Sequence, residues 1–370
     1  MYKYGIGLAV CVGLLTGCQS SASKKVPNAP AVPVVTAKPE PAPVVIDVVP
    51  YNPELAVRKE QFIKDTAKKY AIPESDIRTV LSKAVYKQSI VNAMSRPAEA
   101  TKTWAQYRPI FITSGRIGQG QKYLAENRAD VERIANQYGV PAEIILAIMG
   151  VETGWGGNMG NHNVIDALYT LAFYYPVING KANPARSAFF TDELAQFFAL
   201  SREENFDILT VKGSYAGAMG LGQFMPSSYR KYAKDGDGDG KRDLFKSKQD
   251  AYASIANYFI GFGWQTGKPT FVRATASVGA PAFKPENWEA NFSLNELQSK
   301  GYVPNQQVPD IPATLLTLEG ANGTEHWIGF KNFWVITRYN RSPMYAMAVY
   351  QLSQEIVQKP YNIEPASPSL

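Results

Sequence analysis

The sequence predicts a mainly helical α+β protein, with a helical body and one small β-containing part. Apolar residues recur at helical spacing through most of residues 53 to 262, and helical spacing returns from about 343 to 357. Between 269 and 337 the pattern changes to short β-rich runs separated by Gly, Pro and Asn. The chain of 370 residues is long enough for two or three domains, and it contains no internal repeat.

The N-terminus has the pattern of a secretory signal. Lys3 precedes an apolar run that is too short to span a bilayer as a mature helix, and small residues precede Cys18. The sequence from Leu15 to Cys18 resembles bacterial lipoprotein signals, which implies cleavage before Cys18 and its acylation. Gln19 then implies sorting to the outer membrane. We therefore expect a signal peptide over 1–17 and a lipid-anchored protein on the periplasmic face of the outer membrane.

Cysteine content and charge narrow the class of protein. Cys11 lies inside the apolar run and Cys18 at the predicted lipid site, so the mature chain would have no thiol left for a disulfide. The formal net charge of +6 suits an acidic polymer such as peptidoglycan without specifying it. No basic run is interleaved with aromatic residues, so a nucleic-acid partner is not expected. We expect a monomer.

Residues 18–52 are predicted to form an extended tether. They are rich in Pro, Ala and Val and show neither helical nor strand periodicity. In polyproline II form, at about 3.1 Å per residue, such a segment reaches roughly 90 to 100 Å. That reach suits a substrate lying away from the membrane surface.

The ordered elements follow from Pro53. Helices are predicted from Pro53, after Pro73, and over 119–138, 141–153, 164–174, 189–201 and 251–262. Short β-rich runs predict strands at 313–318 and 333–337. A last helix from about Pro343 to Val357 has Ser342 as its N-cap and Pro343 in its first turn. The predicted domains are an α domain (53–135), a catalytic core (136–265), a small β-containing domain (266–330) and a return to the core with the C-terminal helix (331–370).

One helix stands out because it carries an acid among apolar residues. Pro141 opens it and Gly154 stops it. Glu152 shares a face with Ile145 and Ile148, so its carboxyl group is directed towards apolar packing. Desolvation and the negative end of the helix dipole should both raise its pKa, as general-acid cleavage of a glycoside requires. The alternative is a last-turn Glu that bends out to solvent.

Two glycine-rich stretches offer exposed backbone to a ligand. Residues 153–157 combine three glycines with the aromatic Trp155, which are the materials of a sugar cleft. Residues 213–222 contain four glycines, and Ser214 and Gln223 can offer a hydroxyl and an amide to sugar polar atoms. Tight helix packing through small residues explains this second composition equally well.

An acidic loop predicts a structural Ca²⁺ site and no organic cofactor. Its acids occupy positions one, three and five of an EF-hand-like loop, with Gly at position six and a backbone carbonyl at seven. Position twelve is Lys246 instead of Glu, and Asp250, four residues later, would close a longer loop. The predicted ligands are Asp235, Asp237, Asp239, the carbonyl of Lys241, and Asp250 or Asp243. The alternative is a solvated acidic turn.

Four stretches, in this order, resemble the membrane-bound lytic murein transglycosylase B family. They are Gly150–Gly157, Ala216–Tyr229, the acidic loop and Thr337–Asn340, and the resemblance runs from about residue 55 to 357. It implies a lysozyme-like helical core flanked by an α domain and a small β domain, with peptidoglycan as substrate. Matched motif by motif, it implies Glu152 as the single catalytic acid/base and a groove containing Ser214, Gln223, Tyr258, Tyr339, Asn340, Tyr345, Tyr107 and Arg186. Residues 177–185 look longer than the family pattern and lack one of its paired arginines.

The number of acids separates the possible mechanisms. Hydrolytic glycosidases usually need two carboxylates, and Asp166 is expected to cap a helix. The resemblance implies a lytic transglycosylase, in which Glu152 protonates the oxygen between N-acetylmuramic acid and N-acetylglucosamine. It then accepts the proton of the muramoyl 6-hydroxyl, which attacks C1 and gives a 1,6-anhydro sugar. The alternatives are a hydrolytic muramidase and a lipoprotein that binds peptidoglycan without cutting it.

Overall fold

The computed structural model describes residues 53–95, 102–178 and 180–358. The predicted signal peptide, Cys18 and the tether lie outside these residues. In the described part, no single helix is both long and apolar enough to cross a membrane; two consecutive helices, 114–138 and 142–153, reach the required length and composition together but are bent by 113°. The predicted domain bounds remain predictions.

The described residues form thirteen helices and six strands. The helices are Pro53–Tyr70 (α1), Glu74–Lys83 (α2), Gln88–Met94 (α3), Trp104–Phe111 (α4), Ser114–Tyr138 (α5), Ala142–Thr153 (α6), Val164–Phe173 (α7), Pro184–Glu203 (α8), Pro226–Tyr232 (α9), Lys248–Gly261 (α10), Leu294–Ser299 (α11), Lys331–Tyr339 (α12) and Pro343–Ile356 (α13). The strands are His162–Asn163 (β1), Lys212–Gly213 (β2), Phe271–Ala276 (β3), Tyr302–Pro304 (β4), Ala313–Gly320 (β5) and Gly323–Phe330 (β6).

Helix α6 lies at the centre of the helical core. Every residue from Ile144 to Thr153 is buried, as expected of a helix that is apolar all round. It packs against α5, α10 and α13. Pro141 lies just before the helix, and Gly154 ends it with a left-handed φ of 58°. The last turn of α6, with Glu152, therefore lies deep inside the protein.

The strand predicted at 333–337 is wrong, because these residues belong to α12. Val335, Ile336 and Thr337 have high β-propensity, but all three are buried in the helix and pack into the main core. Tertiary packing overrides a propensity difference of well under about 1 kcal/mol per residue. The last helix is confirmed: Ser342 Oγ accepts a hydrogen bond from the Tyr345 backbone N–H, and Pro343 occupies the first turn.

The larger sheet has the strand order β4-β3-β6-β5, and all its pairs are antiparallel. Both of its faces are apolar. One face joins the helical core through Phe271, Leu316 and Trp327. The other face forms a second apolar cluster with α11, and its members include Val272, Leu315, Ile328 and Leu297. Since α12 begins directly after β6, the sheet leads the chain back towards α6.

Candidate active site

Glu152 is held by a tyrosine from the last helix. Its side chain is 7% exposed, and its Oε1 accepts a hydrogen bond of 2.6 Å from the Tyr345 hydroxyl. Tyr345 lies in the first turn of α13, which packs directly on α6. Burial and the nearby charge of Glu152 raise the pKa of Tyr345 well above its ordinary value. Tyr345 therefore stays protonated and remains a hydrogen-bond donor to the carboxyl group.

A cavity of about 170 Å³ opens beside Glu152. Its lining residues are Glu152, Gln223, Phe224, Met225, Ser228, Tyr258, Phe262, Arg338, Tyr339 and Arg341. Glu152 is the one acid among these described lining residues. The cavity thus pairs a single buried carboxyl group with aromatic rings and two cations.

Gln223 is placed in the cavity by a strained backbone. Its φ is +52°, in the left-handed region that non-glycine residues adopt at a cost of roughly 1 to 2 kcal/mol. Two hydrogen bonds fix its amide, because Nε2 donates to the carbonyls of Met159 (3.1 Å) and Gly220 (3.0 Å). Strain that is compensated in this way is typical of functional sites.

An aromatic cluster forms part of the cavity lining. The rings of Tyr258 and Tyr339 meet edge to face at 4.9 Å, and Phe224 lies 5.9 and 5.8 Å from them. The Tyr258 hydroxyl donates to the carbonyl of Arg338 (2.6 Å), and the Tyr339 hydroxyl donates to that of Gly222 (2.5 Å). Burial raises the pKa of both tyrosines. Their hydroxyl hydrogens are thus used within the protein, and the cavity receives mainly ring surface.

The prediction that Trp155 lines a sugar cleft is wrong. After Gly154, Trp155 folds back onto its own helix with a φ of +55° and is buried. A Cβ atom on Gly150 would lie 2.5 Å from its indole ring, and one on Gly120 would lie 2.9 Å away. Gly150 in α6 and Gly120 in α5 therefore leave room for the indole ring. The polar link to the second glycine-rich stretch is Thr153, whose Oγ1 donates to the Leu221 carbonyl at 2.9 Å.

The remaining predicted groove residues are not among the residues that line this cavity. Ser214 Oγ accepts from the Ala218 backbone N–H at 3.0 Å, which shapes the glycine-rich loop. Asn340 is fully buried, and its Oδ1 accepts from the Ser342 backbone N–H at 3.3 Å. Tyr107 is buried in α4, and its electrostatic influence contributes to the raised pKa of Tyr345. Arg186 is further along the surface.

Arg186 lies in the first turns of α8, next to a second cavity. Its guanidinium group sits over the rings of Phe189 and Phe190, at 5.6 and 5.2 Å from the ring centroids. The neighbouring Ser187 and Tyr175 line a cavity of about 740 Å³ between α1 and α8. This cavity is larger than the one at Glu152, but its lining does not include Glu152.

Three of the predicted metal ligands come together in the acidic loop. Asp235, Asp237 and the buried Asp250 each place an oxygen within 4.8 Å of the others. Asp243 instead accepts hydrogen bonds from the Phe245 and Lys246 backbone N–H groups, so it shapes a local turn. Asp239 accepts from the Lys241 backbone N–H. A convergence of three carboxylates in a glycine-rich loop fits a hard cation such as Ca²⁺.

Several lining residues were not singled out from the sequence. Phe224, Met225, Ser228 and Arg338 lie within the stretches that resemble the family, and Arg341 directly follows the last of them, but none is among the predicted site residues. Their closeness in sequence to predicted site residues is the signal that could have identified them. Phe262, just after α10, offered no such signal, because its position in the cavity depends on how α10 ends.

Comparison with known proteins identifies the family of this chain. Residues 55–354 match the model of the transglycosylase SLT domain. The membrane-bound lytic murein transglycosylase B of Escherichia coli K12 is 38% identical over 307 residues, which is 80% of this chain and 82% of that protein.

Two solved structures are also similar. The soluble lytic transglycosylase SltB1 of Pseudomonas aeruginosa is 43% identical with a TM-score of 0.73, covering 81% of this chain and 98% of that one. The Escherichia coli lytic transglycosylase Slt35 in complex with calcium is 38% identical with a TM-score of 0.73, covering 81% and 92%. The predicted fold class, mainly α with a lysozyme-like core, is confirmed. The chain belongs to the transglycosylase SLT domain family.

Proposed function

We propose that this protein is a lytic transglycosylase that cleaves the bond between N-acetylmuramic acid and N-acetylglucosamine in peptidoglycan, with Glu152 as its single acid/base. The observation that carries the proposal is the cavity lining, in which Glu152 is the one carboxyl group among the described residues. A family of transglycosylases and a curated relative that acts on murein support the same reaction.

In the proposed reaction Glu152 donates one proton and later accepts another. Protonated Glu152 donates its proton to the glycosidic oxygen as the C1–O bond breaks. The carboxylate then accepts the proton of the muramoyl 6-hydroxyl while that oxygen bonds to C1, which closes the 1,6-anhydro ring. Because the nucleophile is part of the substrate, the entropic cost of bringing it to C1 is small. Tyr345 holds Oε1 at 2.6 Å and so fixes the orientation of the carboxyl group through both steps.

A hydrolytic muramidase would need another carboxylate to activate water. Asp166 is occupied elsewhere: its Oδ1 accepts from the Val85 backbone N–H at 2.8 Å, and its Oδ2 accepts from Asn163 at 3.3 Å. It joins the loop after α2 to α7 rather than capping its own helix. Glu193 is also buried and bonded to Ser227, away from the cavity lining. The geometry therefore favours the intramolecular route.

The test is mass spectrometry of muropeptides released from purified sacculi. The proposal expects products that end in anhydromuramic acid, one water lighter than hydrolytic products. Free reducing ends would show hydrolysis, and binding without release would show a scaffold; either result overturns the proposal. Glu152→Gln should bind sacculi and lose turnover by several orders of magnitude. Glu143→Gln, at the start of the same helix, is the matched control and should keep wild-type activity.

We further propose that the acidic loop binds Ca²⁺ and that Cys18 carries the lipid anchor. The grouping of Asp235, Asp237 and Asp250 supports the metal, and Slt35 was solved in complex with calcium. Bound Ca²⁺ would neutralise the converging carboxylates and fix the loop that leads into α10. For the anchor, the membrane-bound relative is the support. Cys18→Ala should move the protein from the outer-membrane fraction to the soluble periplasmic fraction.

We also propose that Ser214, Asn340, Tyr107 and Arg186 shape or extend the sugar groove beyond the cavity. Ser214 and Asn340 do so through loop geometry, and Tyr107 does so through its electrostatic influence on Tyr345. Arg186 lies at the edge of the 740 Å³ cavity, where an acidic part of the substrate could pair with it. Arg186→Ala should raise KM on sacculi and leave kcat unchanged; a fall in kcat alone would contradict this role.

A further inference from the structure

Helix α12 has one face that is only partly buried. Four of its nine residues are not buried: Lys331, Trp334, Arg338 and Tyr339. The first three are spaced by three and four positions, so they share one side of the helix. At 1.5 Å per residue, this stripe from Lys331 to Arg338 is about 10 Å long. We call these three residues the α12 stripe.

The two cations of the stripe are stacked on its aromatic ring. Lys331 Nζ lies 3.6 Å from the centroid of the Trp334 ring, and Arg338 Cζ lies 4.5 Å from it. Such cation–π contacts hold long side chains in place. The stripe therefore presents an ordered surface of one aromatic ring and two positive charges.

The α12 stripe connects two cavities. Arg338 lines the cavity at Glu152, together with Arg341. Lys331 and Trp334 line a separate cavity of about 370 Å³, where the helical core meets the segment before β5. Polar side chains also line this 370 Å³ cavity, namely Gln265, Asn291 and Glu289. Amides, one carboxylate and an indole ring together are suited to sugar hydroxyls and a sugar face.

Among the residues that the structure describes, the positive charges of this region form no ion pairs. Within the described ranges, no carboxylate oxygen lies within 4.0 Å of the side-chain nitrogens of Lys331, Arg338 or Arg341. Arg338 Nε is buried and has no hydrogen-bond partner in the described part of the chain. Glu289 is near enough to influence Lys331 and Arg338 but forms no ion pair with them. Unpaired cations beside a catalytic cavity are expected to pair with anions of the ligand.

We propose that the α12 stripe is a second glycan-binding site, which holds a stem-bearing part of the strand beyond the bond that Glu152 cleaves. A sugar ring packs on Trp334, and carboxylates of the attached peptides pair with Lys331, Arg338 and Arg341. The inference rests on the proposed function, because it assigns a further part of the same polymer to this surface. This second binding site makes the enzyme favour long, acidic strands over short fragments.

The test compares two substrates of different length. Trp334→Ala and Lys331→Gln should raise KM at least fivefold on long stem-bearing strands and leave kcat unchanged. Both variants should match the wild type on a short fragment that fills only the Glu152 cavity. Trp334→Phe should recover most of the affinity because it keeps a ring, and Lys122→Gln on the exposed face of α5 is the control for removed charge. Equal effects on both substrates, or no effect on either, would overturn the inference.

Binding without turnover gives an independent measure. In the Glu152→Gln background, the protein should cosediment with sacculi, and adding Lys331→Gln should weaken binding and its dependence on salt. Unchanged salt dependence would contradict the assignment of these cations. Failure of the proposed function has a different signature: the wild type would release no anhydro products even from short fragments. Thermal melting of each variant confirms that the fold is retained.

Discussion

The Tyr345 hydroxyl donates a 2.6 Å hydrogen bond to Oε1 of Glu152, although the two residues are 193 positions apart in the chain. The contact depends on α13 crossing α6 after the chain has passed through the sheet. It joins the first turn of one helix to the last turn of another. The position of Glu152, the proposed catalytic acid, is thus set by the packing of two helices and by one polar contact between them.

Removing this donor should change the pH dependence of the reaction. A hydrogen bond to the carboxylate stabilises the charged form, so its loss favours the protonated acid. In Tyr345→Phe, we expect the alkaline limb of the kcat/KM profile to move to higher pH. We also expect kcat to fall roughly tenfold or more, since the carboxyl group is less well oriented. A profile that falls in height without moving would limit Tyr345 to a purely steric role.

Because the backbone at Gln223 is strained, a glycine variant at this position should be more stable than an alanine variant, which is the reverse of the usual order. Gln223→Ala and Gln223→Gly both lose the amide and its hydrogen bonds, but only alanine keeps the cost of a left-handed φ. The glycine variant should therefore be the more stable by about 1 kcal/mol in urea unfolding, and both should lose activity. At Asn205, where φ is also +52° but the residue is remote from the cavity, the same pair should show the same stability order with unchanged activity. An alanine variant as stable as glycine would show that the backbone at position 223 relaxes.

Calcium should stabilise the fold through the acidic loop. Ligand binding to the folded state alone contributes about 2.7 kcal/mol at a hundred times Kd. We expect Ca²⁺ to raise the thermal midpoint of the wild type, and Asp237→Ala to remove this increase. Asp310→Ala, which removes an acid outside the loop, should keep it. If the wild type melts at the same temperature with chelator and with Ca²⁺, the loop is only a turn.

Glu193 should make stability depend on pH near neutrality. Its side chain accepts hydrogen bonds from Ser227 N–H (2.9 Å) and Oγ (2.5 Å), and burial raises its pKa from 4.5 to about 7. Because the folded pKa is the higher one, the folded state binds the proton more tightly. The associated stability is complete below about pH 4.5 and is lost as the pH rises through 7.

The variant Glu193→Gln cannot titrate and should show a flatter stability profile. Between pH 4.5 and 8, the wild type should lose on the order of 3 kcal/mol more than the variant, measured by urea unfolding. Repulsion by Asp192, the neighbouring residue in α8, also raises the pKa of Glu193. The exposed Glu286→Gln is the control and should follow the wild-type profile. Parallel profiles for Glu193→Gln and wild type would mean that Glu193 ionises normally in the folded state.

The helical parts of the fold were predictable because their signals are local. Periodicity gave α6, α7 and α13, and the Ser342-Pro343 pair gave the start of the last helix. The acid was predictable for the same reason, since Glu152 is the polar exception on an apolar face. The EF-hand-like spacing predicted that Asp235 and Asp237 would converge, and the structure brings them together.

The errors arose where distant packing decides the outcome. The β-branched run at 335–337 is helical because its side chains are buried as part of α12. Trp155 is buried because Gly120, on another helix, leaves room for its ring. The sequence analysis left Asp250 and Asp243 as alternatives for the last acid of the loop, and the convergence of Asp250 with Asp235 and Asp237 is not a local property. It depends on α10 bringing Asp250 back to the loop, where its two oxygens accept from the Gly236 and Asp243 backbone N–H groups.

The two apolar faces of the sheet affect how it must assemble. A one-residue slip of β5 against β6 would exchange the faces of Leu315 and Leu316, and both faces would still be apolar. Hydrophobicity alone therefore penalises the misaligned hairpin only weakly. The two-residue loop between Gly320 and Gly323 sets the correct alignment of β5 with β6. The ion pair between Arg273 and Glu325 (2.7 Å) joins β6 to β3 instead. Correct folding of this sheet therefore depends on the turn between β5 and β6. An insertion in that turn would misalign β6, the strand that α12 directly follows.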